Sequence, residues 1–141
     1  RCAKQWRGLG YQIIANEDAA LGQATSVRLA ASHAIDTGAA ALCIMLADMP
    51  FVTRDHLVKL IEAFDKSGRT STVASSRSGQ AMPPAIFPSG ALKRLMELEG
   101  DAGARRLLTD ARLVAGDDHM LMDIDTEEDL AEANLIFDKI G

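Results

Sequence analysis

The feature that most constrains this chain is the run Ala39-Ala40-Ala41-Leu42-Cys43-Ile44-Met45-Leu46-Ala47, which ends in Asp48, Met49 and Pro50. An apolar run without polar alternation is the pattern of a strand covered on both faces, the usual state of a central parallel strand. A fresh helix signal follows the run at Thr53. In open α/β sheets, ligands are met at the carboxyl ends of the strands. Asp48 is therefore expected at such a strand end.

The rest of the chain alternates in a compatible way. Val27, Ala30, Ala31, Ala34 and Ile35 form one helical stripe within Ala24 to Asp36, with Gly38 placed to end it. Leu57, Leu60, Ile61 and Phe64 form a second stripe behind an expected Thr53 cap, and Gly68 closes it. Leu92, Leu95 and Met96 mark a third helix ending at Gly100, and Asp101 reads as the cap of a short helix through Leu108. Strands are expected at Tyr11 to Ala15, Leu42 to Leu46, Thr70 to Ser75, Pro83 to Phe87, Leu113 to Ala115 and Met120 to Ile124. Thr126 begins the last helix, whose apolar face is Leu130, Ala133, Ile136, Phe137 and Ile140. Early β-α alternation with a more mixed second half predicts a Rossmann-like α/β layer, with an antiparallel element in a mostly parallel sheet.

At 141 residues the chain is read as a single domain, 1–141, large enough for a hydrophobic core. Its formal charge of -5 and the absence of a Lys/Arg cluster with interleaved aromatics argue against nucleic acid as a partner. The longest apolar run is about half of what a bilayer requires, so no membrane partner is expected. Cys2 and Cys43 do not make a metal set, and Cys43 reads as an inert core thiol in a reduced, cytoplasmic protein. Arg1-Cys2 is an unusual start, and an N-terminal portion is expected to precede it.

Four segments carry candidate chemistry. Asp48 has three readings: a turn or cap before Pro50, a ligand for Mg²⁺ and a phosphate, or a phosphoacceptor. Asp123 and Asp125, two apart, point to one face if the segment is extended. Thr126 and Asp129 are explained as capping residues, whereas Asp125 is not needed for that. Two carboxylates on separate strand ends could hold one Mg²⁺ together with a nucleoside triphosphate. Gly22-Gln23-Ala24-Thr25-Ser26 opens a helix with small and hydroxyl residues, which suits either an ordinary cap or an anion. Gly100-Asp101-Ala102-Gly103-Ala104-Arg105-Arg106 is either a solvated basic helix start or a contact to an acidic substrate. His33, His56 and His119 form no catalytic or metal-binding pattern, and Gly8-Leu9-Gly10 lacks the rest of a dinucleotide fingerprint.

In this order the segments resemble the MobA-like nucleotidyltransferase family, which includes the molybdenum cofactor guanylyl- and cytidylyltransferases. Gly22 to Arg28 is similar to its Gly-x-x-x-Ser-(Leu/Val)-Arg segment, and Leu46-Ala47-Asp48-Met49-Pro50 to its Leu-(Ala/Gly)-Asp-x-Pro motif. Pro84-Ala85-Ile86-Phe87, Gly100 to Arg105, and Asp123 to Leu130 resemble its Pro-x-x-Phe, Gly-Asp-x-Gly-Ala-Arg and Asp-Ile-Asp-Thr-x-Glu-Asp-Leu segments. The Ala-Asp-Met-Pro and Gly-Asp-x-Gly-Ala-Arg forms look more like the cytidylyltransferase branch.

The resemblance implies a three-layer α/β/α fold of the nucleotide-diphospho-sugar transferase type. It also implies transfer of a nucleoside monophosphate from an NTP, CTP favoured, to a phosphorylated acceptor such as molybdopterin, with Mg²⁺ as cofactor. By that resemblance Asp48 and Asp125 are the metal ligands and catalytic residues, Gly22 and Ser26 lie at the nucleotide, and Asp101 and Arg105 lie towards the acceptor. A transient protein partner that takes up the finished cofactor is implied too. Two departures stand out. The family's Gly-rich phosphate loop and following Lys are absent, and Met82 stands where the family has a glycine before the Pro-x-x-Phe strand. Rival expectations are a sugar- or alditol-phosphate acceptor, and a non-catalytic nucleotide-binding domain.

Overall fold

Strand β3 (Gln80–Pro88) is the residue stretch around which the two halves of the molecule are assembled. A computed structural model describes residues 2–99 and 106–140. Two consecutive prolines forbid helix and leave an extended backbone, and the alternation that follows serves both faces of a sheet. Ala85 and Phe87 enter one core with Ala24, Val27, Ala31, Ala74 and Leu95, while Ile86 enters a second core with Leu60, Phe64 and Val73.

The sheet order is β1-β3-β2-β4, where β1 is Ala41–Ile44, β2 is Val73–Arg77 and β4 is Arg112–Ala115. β3 pairs antiparallel with both β1 and β2, and β2 pairs parallel with β4. Strands β1, β2 and β4 therefore run one way, with β3 inverted between β1 and β2. The helices are α1 (Cys2–Gly8), α2 (Gln23–Asp36), α3 (Arg54–Lys66), α4 (Leu92–Met96) and α5 (Glu127–Ile140). Helices α2 and α4 cover the first core, and α3 covers the second. This is a mixed α/β arrangement, as the sequence pattern predicts, with the α/β/α layering that the family resemblance implies.

The prolines also shape the pairing. The β2–β3 register runs Ala74 to Ala85 and then jumps to Ser75 opposite Met82, leaving Pro83 and Pro84 outside it. Proline cannot donate to a ladder, and the side chain of Ser75 compensates by donating to the Pro84 carbonyl at 2.8 Å. With that proton committed, Ser75 Oγ accepts from His56 Nε2 at 2.8 Å, which sets the His56 tautomer. His56 and Ser75 are 3% and 0% exposed, so α3, β2 and β3 are joined by a buried polar chain as well as by Leu60 and Phe64. The histidine thus has a structural role.

Local signals act as expected at several termini. Thr53 caps α3 by accepting from the His56 amide at 3.2 Å. Gly38, at φ 66°, ends α2 with its own amide on Ile35 and the Ala39 amide on Ala34, the paired bonds of a Schellman cap. Thr126 and Asp129 cap α5 reciprocally: the Asp129 amide donates to Thr126 Oγ1 at 3.1 Å, and Asp129 Oδ2 accepts from the Thr126 amide at 2.8 Å. The Thr126 hydroxyl bond, followed by the Thr126 and Asp125 amides, holds the Asp129 carboxyl below the usual carboxylate range.

Five expectations are corrected. Strand β1 is an edge strand paired antiparallel, only partly covered, because its second side has no neighbour among the described residues. Cys43 on that strand is correspondingly exposed rather than sealed in a core, although partial desolvation raises its thiol pKa. Residues Tyr11 to Ala15 are irregular, since they reach no strand to pair with. Met120 to Ile124 is a turn followed by extended chain: it makes one backbone bond to the 48 position and no ladder. On α5, Ala133 is buried, but Leu130 and Phe137 are 50% and 69% exposed, because they line an open groove with Pro50, Phe51 and Ile124 and enter neither buried core. The shorter misfits are of the same kind: Ile35 and Ile61 flank their stripes and remain exposed, while Thr25 and His56 enter the buried faces.

Leu60 is fully buried in the smaller core. Replacing it with alanine should cost about 2–5 kcal/mol of stability in urea unfolding, the range for deleting a buried leucine. Burial first, and the charge of Lys59 second, lower the His56 pKa from 6.5. Below pH 6.5 the unfolded chain then binds more protons at this position than the folded one. Stability contributed by neutral His56 is therefore complete above that pH and is lost as pH falls through the window towards the folded pKa. A His56→Gln variant should show a flatter pH–stability profile there, read by thermal melts across pH.

Candidate active site

The end of the sheet at which β1 and β2 finish gathers most of the residues that the sequence singles out. The chain leaves β1 at Ile44 and reaches Asp48 in a turn, with Met49 buried beneath it and Asp48 itself exposed. The Ile124 amide donates to the Asp48 carbonyl at 3.0 Å. This bond joins two segments 76 positions apart (124 − 48) and sets Asp123 and Asp125 on either side of the contact. Ile124 lines a groove beneath α5, whereas Asp123 lines the cleft on the Leu46 and Met49 side.

Asp125 is exposed, and its amide is taken up by Asp129 at 3.1 Å in the cap of α5. Among the described residues, neither the Asp48 nor the Asp125 carboxylate is engaged by a hydrogen bond or an ion pair. Both remain open to a ligand from solvent. Among the described residues, no three His, Cys, Asp or Glu side chains converge as a metal cage. Two hard carboxylate donors are nonetheless a fitting set for Mg²⁺, which keeps several waters and takes substrate phosphate oxygens as further ligands.

The α2 start stands on the other side of the crevice. Gly22 precedes the helix at φ 106° and ψ 171°, a backbone conformation that side-chain-bearing residues rarely adopt. Its carbonyl accepts from the Thr25 amide at 3.2 Å and from Thr25 Oγ1 at 2.8 Å. Asn16 donates to Thr25 Oγ1 at 2.8 Å and to Ser26 Oγ at 2.9 Å, fixing both hydroxyls. Ser26 is exposed and faces a largely apolar cleft of about 630 Å³ between α2 and β1, with Gln23, Val27, Phe87 and Trp6 also on its walls. Trp6 packs against Tyr11, with ring centroids 6.2 Å apart. Arg28, the last residue of the same sequence segment, is occupied structurally: its Nη1 donates to the Leu98 carbonyl at 2.9 Å and ties α2 to α4.

Gly22 and Ser26 thus lie at the start of α2, whose Gln23 lines both clefts, while the Asp48 and Asp125 segments are joined through the Ile124–Asp48 bond. Asp101 and Arg105 lie outside the described residues. Sequence reasoning did not single out Asn16 and Arg77. Asn16 has no motif of its own, and its role appears only once the irregular 11–18 segment folds back on α2. Arg77 closes β2, donates from Nη1 to the Leu121 carbonyl at 3.2 Å, and places Nη2 4.0 Å from Asp123.

The MobA-like NTP transferase domain family matches residues 1–119. The chain belongs to that family. The match ends before the Asp123–Leu130 segment, so Asp48 lies within it and Asp125 beyond it. This MobA-like chain is 38% identical over 119 residues to the purine catabolism protein PucB of Bacillus subtilis, spanning 80% of the chain and 56% of that relative's length. It therefore corresponds to little more than half of PucB. Two solved structures share its fold. The molybdopterin-guanine dinucleotide biosynthesis protein A of Archaeoglobus fulgidus superposes with a TM-score of 0.69 at 18% identity, over 97% of this chain and 75% of that one. A 4-diphosphocytidyl-2C-methyl-D-erythritol synthase superposes with a TM-score of 0.60 at 20% identity, over 82% and 68%. Among the described residues of the MobA-like domain, no helix is long and apolar enough to cross a membrane.

Gly22 tests how strictly the start of α2 is set. Gly22→Ala should destabilise the protein by about 1–3 kcal/mol, the cost of holding a side-chain-bearing residue in that backbone region. Chemical denaturation would measure it, and a neutral result would mean that the α2 entry relaxes to another conformation.

Proposed function

We propose that this chain forms part of a Mg²⁺-dependent nucleotidyltransferase that moves a nucleoside monophosphate from an NTP to a phosphorylated acceptor, with CTP as donor and molybdopterin as acceptor. The observation that carries this reading is the Ile124–Asp48 backbone bond, which brings the two exposed acidic segments together at the carboxyl end of the sheet. Family membership supports the reaction class. The likeness to a molybdopterin-guanine dinucleotide biosynthesis protein supports the acceptor, and the likeness to a diphosphocytidyl synthase supports a cytidine donor.

In the reaction, an oxygen of the acceptor phosphate forms a bond to the α-phosphorus of the NTP. The bond from that phosphorus to the α–β bridging oxygen breaks, and pyrophosphate leaves with the electron pair. Asp48 and Asp125 would hold the Mg²⁺, which supplies neutralisation of phosphate charge as the leaving group departs. Gly22 and the first turn of α2 offer backbone N–H groups to the nucleotide, and Ser26 offers a hydroxyl whose lone pair is already engaged by Asn16. The apolar cleft beside Ser26 would exclude water from a bound base or ribose. Little covalent work falls to the protein, so its contribution is positioning together with charge neutralisation. Asp101 and Arg105 belong to the acceptor side in this reading, and a carrier protein would take up the product.

Asp48→Ala and Asp125→Ala in the full-length protein should each reduce pyrophosphate release from Mg·CTP and molybdopterin by at least about hundredfold, a loss typical of removing a key charge-stabilising group. Melting temperatures should stay close to that of the unmodified protein, because both side chains are exposed. Near-normal turnover in Asp48→Ala would falsify the ligand assignment. Running GTP, ATP and sugar- or alditol-phosphate acceptors in parallel decides between molybdopterin and the rival acceptor class.

A further inference from the structure

The cleft on the Asp123 side of the crevice contains a cation that the reaction as described does not use. Strands β1 and β2 both run antiparallel to β3, so Arg77 at the end of β2 lies at the same end of the sheet as Asp48 after β1. Its side chain is 38% exposed. A guanidinium carries five N–H donors. One nitrogen is used on the Leu121 carbonyl at 3.2 Å, and the approach to Asp123 at 4.0 Å is too long for a hydrogen bond. The remaining donors border a cleft of about 210 Å³, which Gln23, Leu46, Met49, Met82 and Asp123 also line. Gln23 and Leu46 line the larger apolar cleft beside Ser26 as well, so the two spaces adjoin.

Charge makes the position distinctive. An acceptor phosphomonoester approaching Asp48, Asp123 and Asp125 brings negative charge towards three carboxylates. Among the described residues that line the two clefts, Arg77 is the one cationic side chain. Its anchoring by Leu121 fixes the fork in place before any ligand arrives, which lowers the entropy lost on binding.

We propose that Arg77 is the acceptor-phosphate-binding residue, gripping the non-reacting oxygens of the phosphomonoester while Met82 walls the remainder of the small cleft. The inference rests on the nucleotidyl-transfer reading for its biological meaning, but phosphate recognition by Arg77 is measurable separately. Met82 occupies the position where the family's glycine is expected, so its side chain narrows the space next to the phosphate and selects among acceptors by shape.

The test is calorimetric titration of the full-length protein with methyl phosphate, and in separate runs with Mg·CTP. Arg77→Gln should weaken methyl phosphate binding by about tenfold or more, the loss for removing a charge-assisted donor. Arg77→Lys, which keeps the charge without the fork, should lose less. Mg·CTP affinity should fall by much less than methyl phosphate affinity in both variants, since the 121–125 segment keeps the Ile124–Asp48 bond and the α5 cap. Unchanged methyl phosphate binding in Arg77→Gln overturns the proposal. So does a parallel loss of Mg·CTP binding, which would assign Arg77 only to holding the 121–125 segment in place. A wild-type protein that binds methyl phosphate through Arg77 but never binds Mg·CTP would defeat the nucleotidyl-transfer reading and leave the phosphate site standing.

Discussion

Everything in this molecule depends on the way β3 divides its side chains between two cores. Ala85 and Phe87 point to α2 and α4, and Ile86 points to α3. Period-two alternation over three residues therefore fixes which helix covers which face. Because β3 also pairs with both β1 and β2, it sets the distance between their ends, where the crevice opens. A one-residue slip of β3 would exchange the two faces and turn Phe87 towards the smaller α3 core. The Ser75–Pro84 bond and its His56 partner guard against that slip at the place where the prolines interrupt the ladder.

The crevice is assembled from parts with different degrees of support. Asp48 stands on a tight turn over buried Met49, held at its carbonyl by Ile124. The acidic segment is an extended strip, secured by that bond, by Arg77 on Leu121 and by the α5 cap. Among the described residues, neither carboxylate is neutralised by a neighbouring cation, so the site is electrostatically prepared for a positively charged ion and against bare anions. Arg77 offsets this imbalance at one edge only. The result is an asymmetric crevice: an apolar wall and backbone amides on the α2 side, and acids with one arginine on the other.

Much of this was legible in the sequence where local chemistry is decisive. The Thr53 cap, the Gly38 termination and the Thr126–Asp129 cap each depend on residues within a few positions of one another, and all three form as the sequence indicates. The stripes of α2 and α3 are read from 3.6-residue spacing, and their centres, Ala31 and Leu60, are fully buried. The ordered motifs likewise point to the MobA-like family, because Asp48-Met49-Pro50 and its companions are contiguous strings. What the spacing missed were the stripe margins, Ile35 and Ile61, where burial depends on how far the sheet extends beneath each helix.

Tertiary structure decided the remainder for one physical reason: pairing and burial are long-range. Hydrophobicity alone made residues 39–46 look like a central parallel strand, yet among the described residues β1 pairs with β3 alone and antiparallel, since an apolar run does not reveal the direction of its partners. The same limit explains the exposed Leu130 and Phe137 on α5, whose periodicity is sound but which line an open groove and enter neither buried core. Arg77 and Asn16 carry no local signal, and only the fold brings them to Asp123 and Ser26. By itself the sequence determined the layered α/β class, the caps and the identity of the acidic segments. Only the tertiary structure decided that Asp48 and the 123–125 strip meet through a single backbone hydrogen bond, because that contact spans most of the chain.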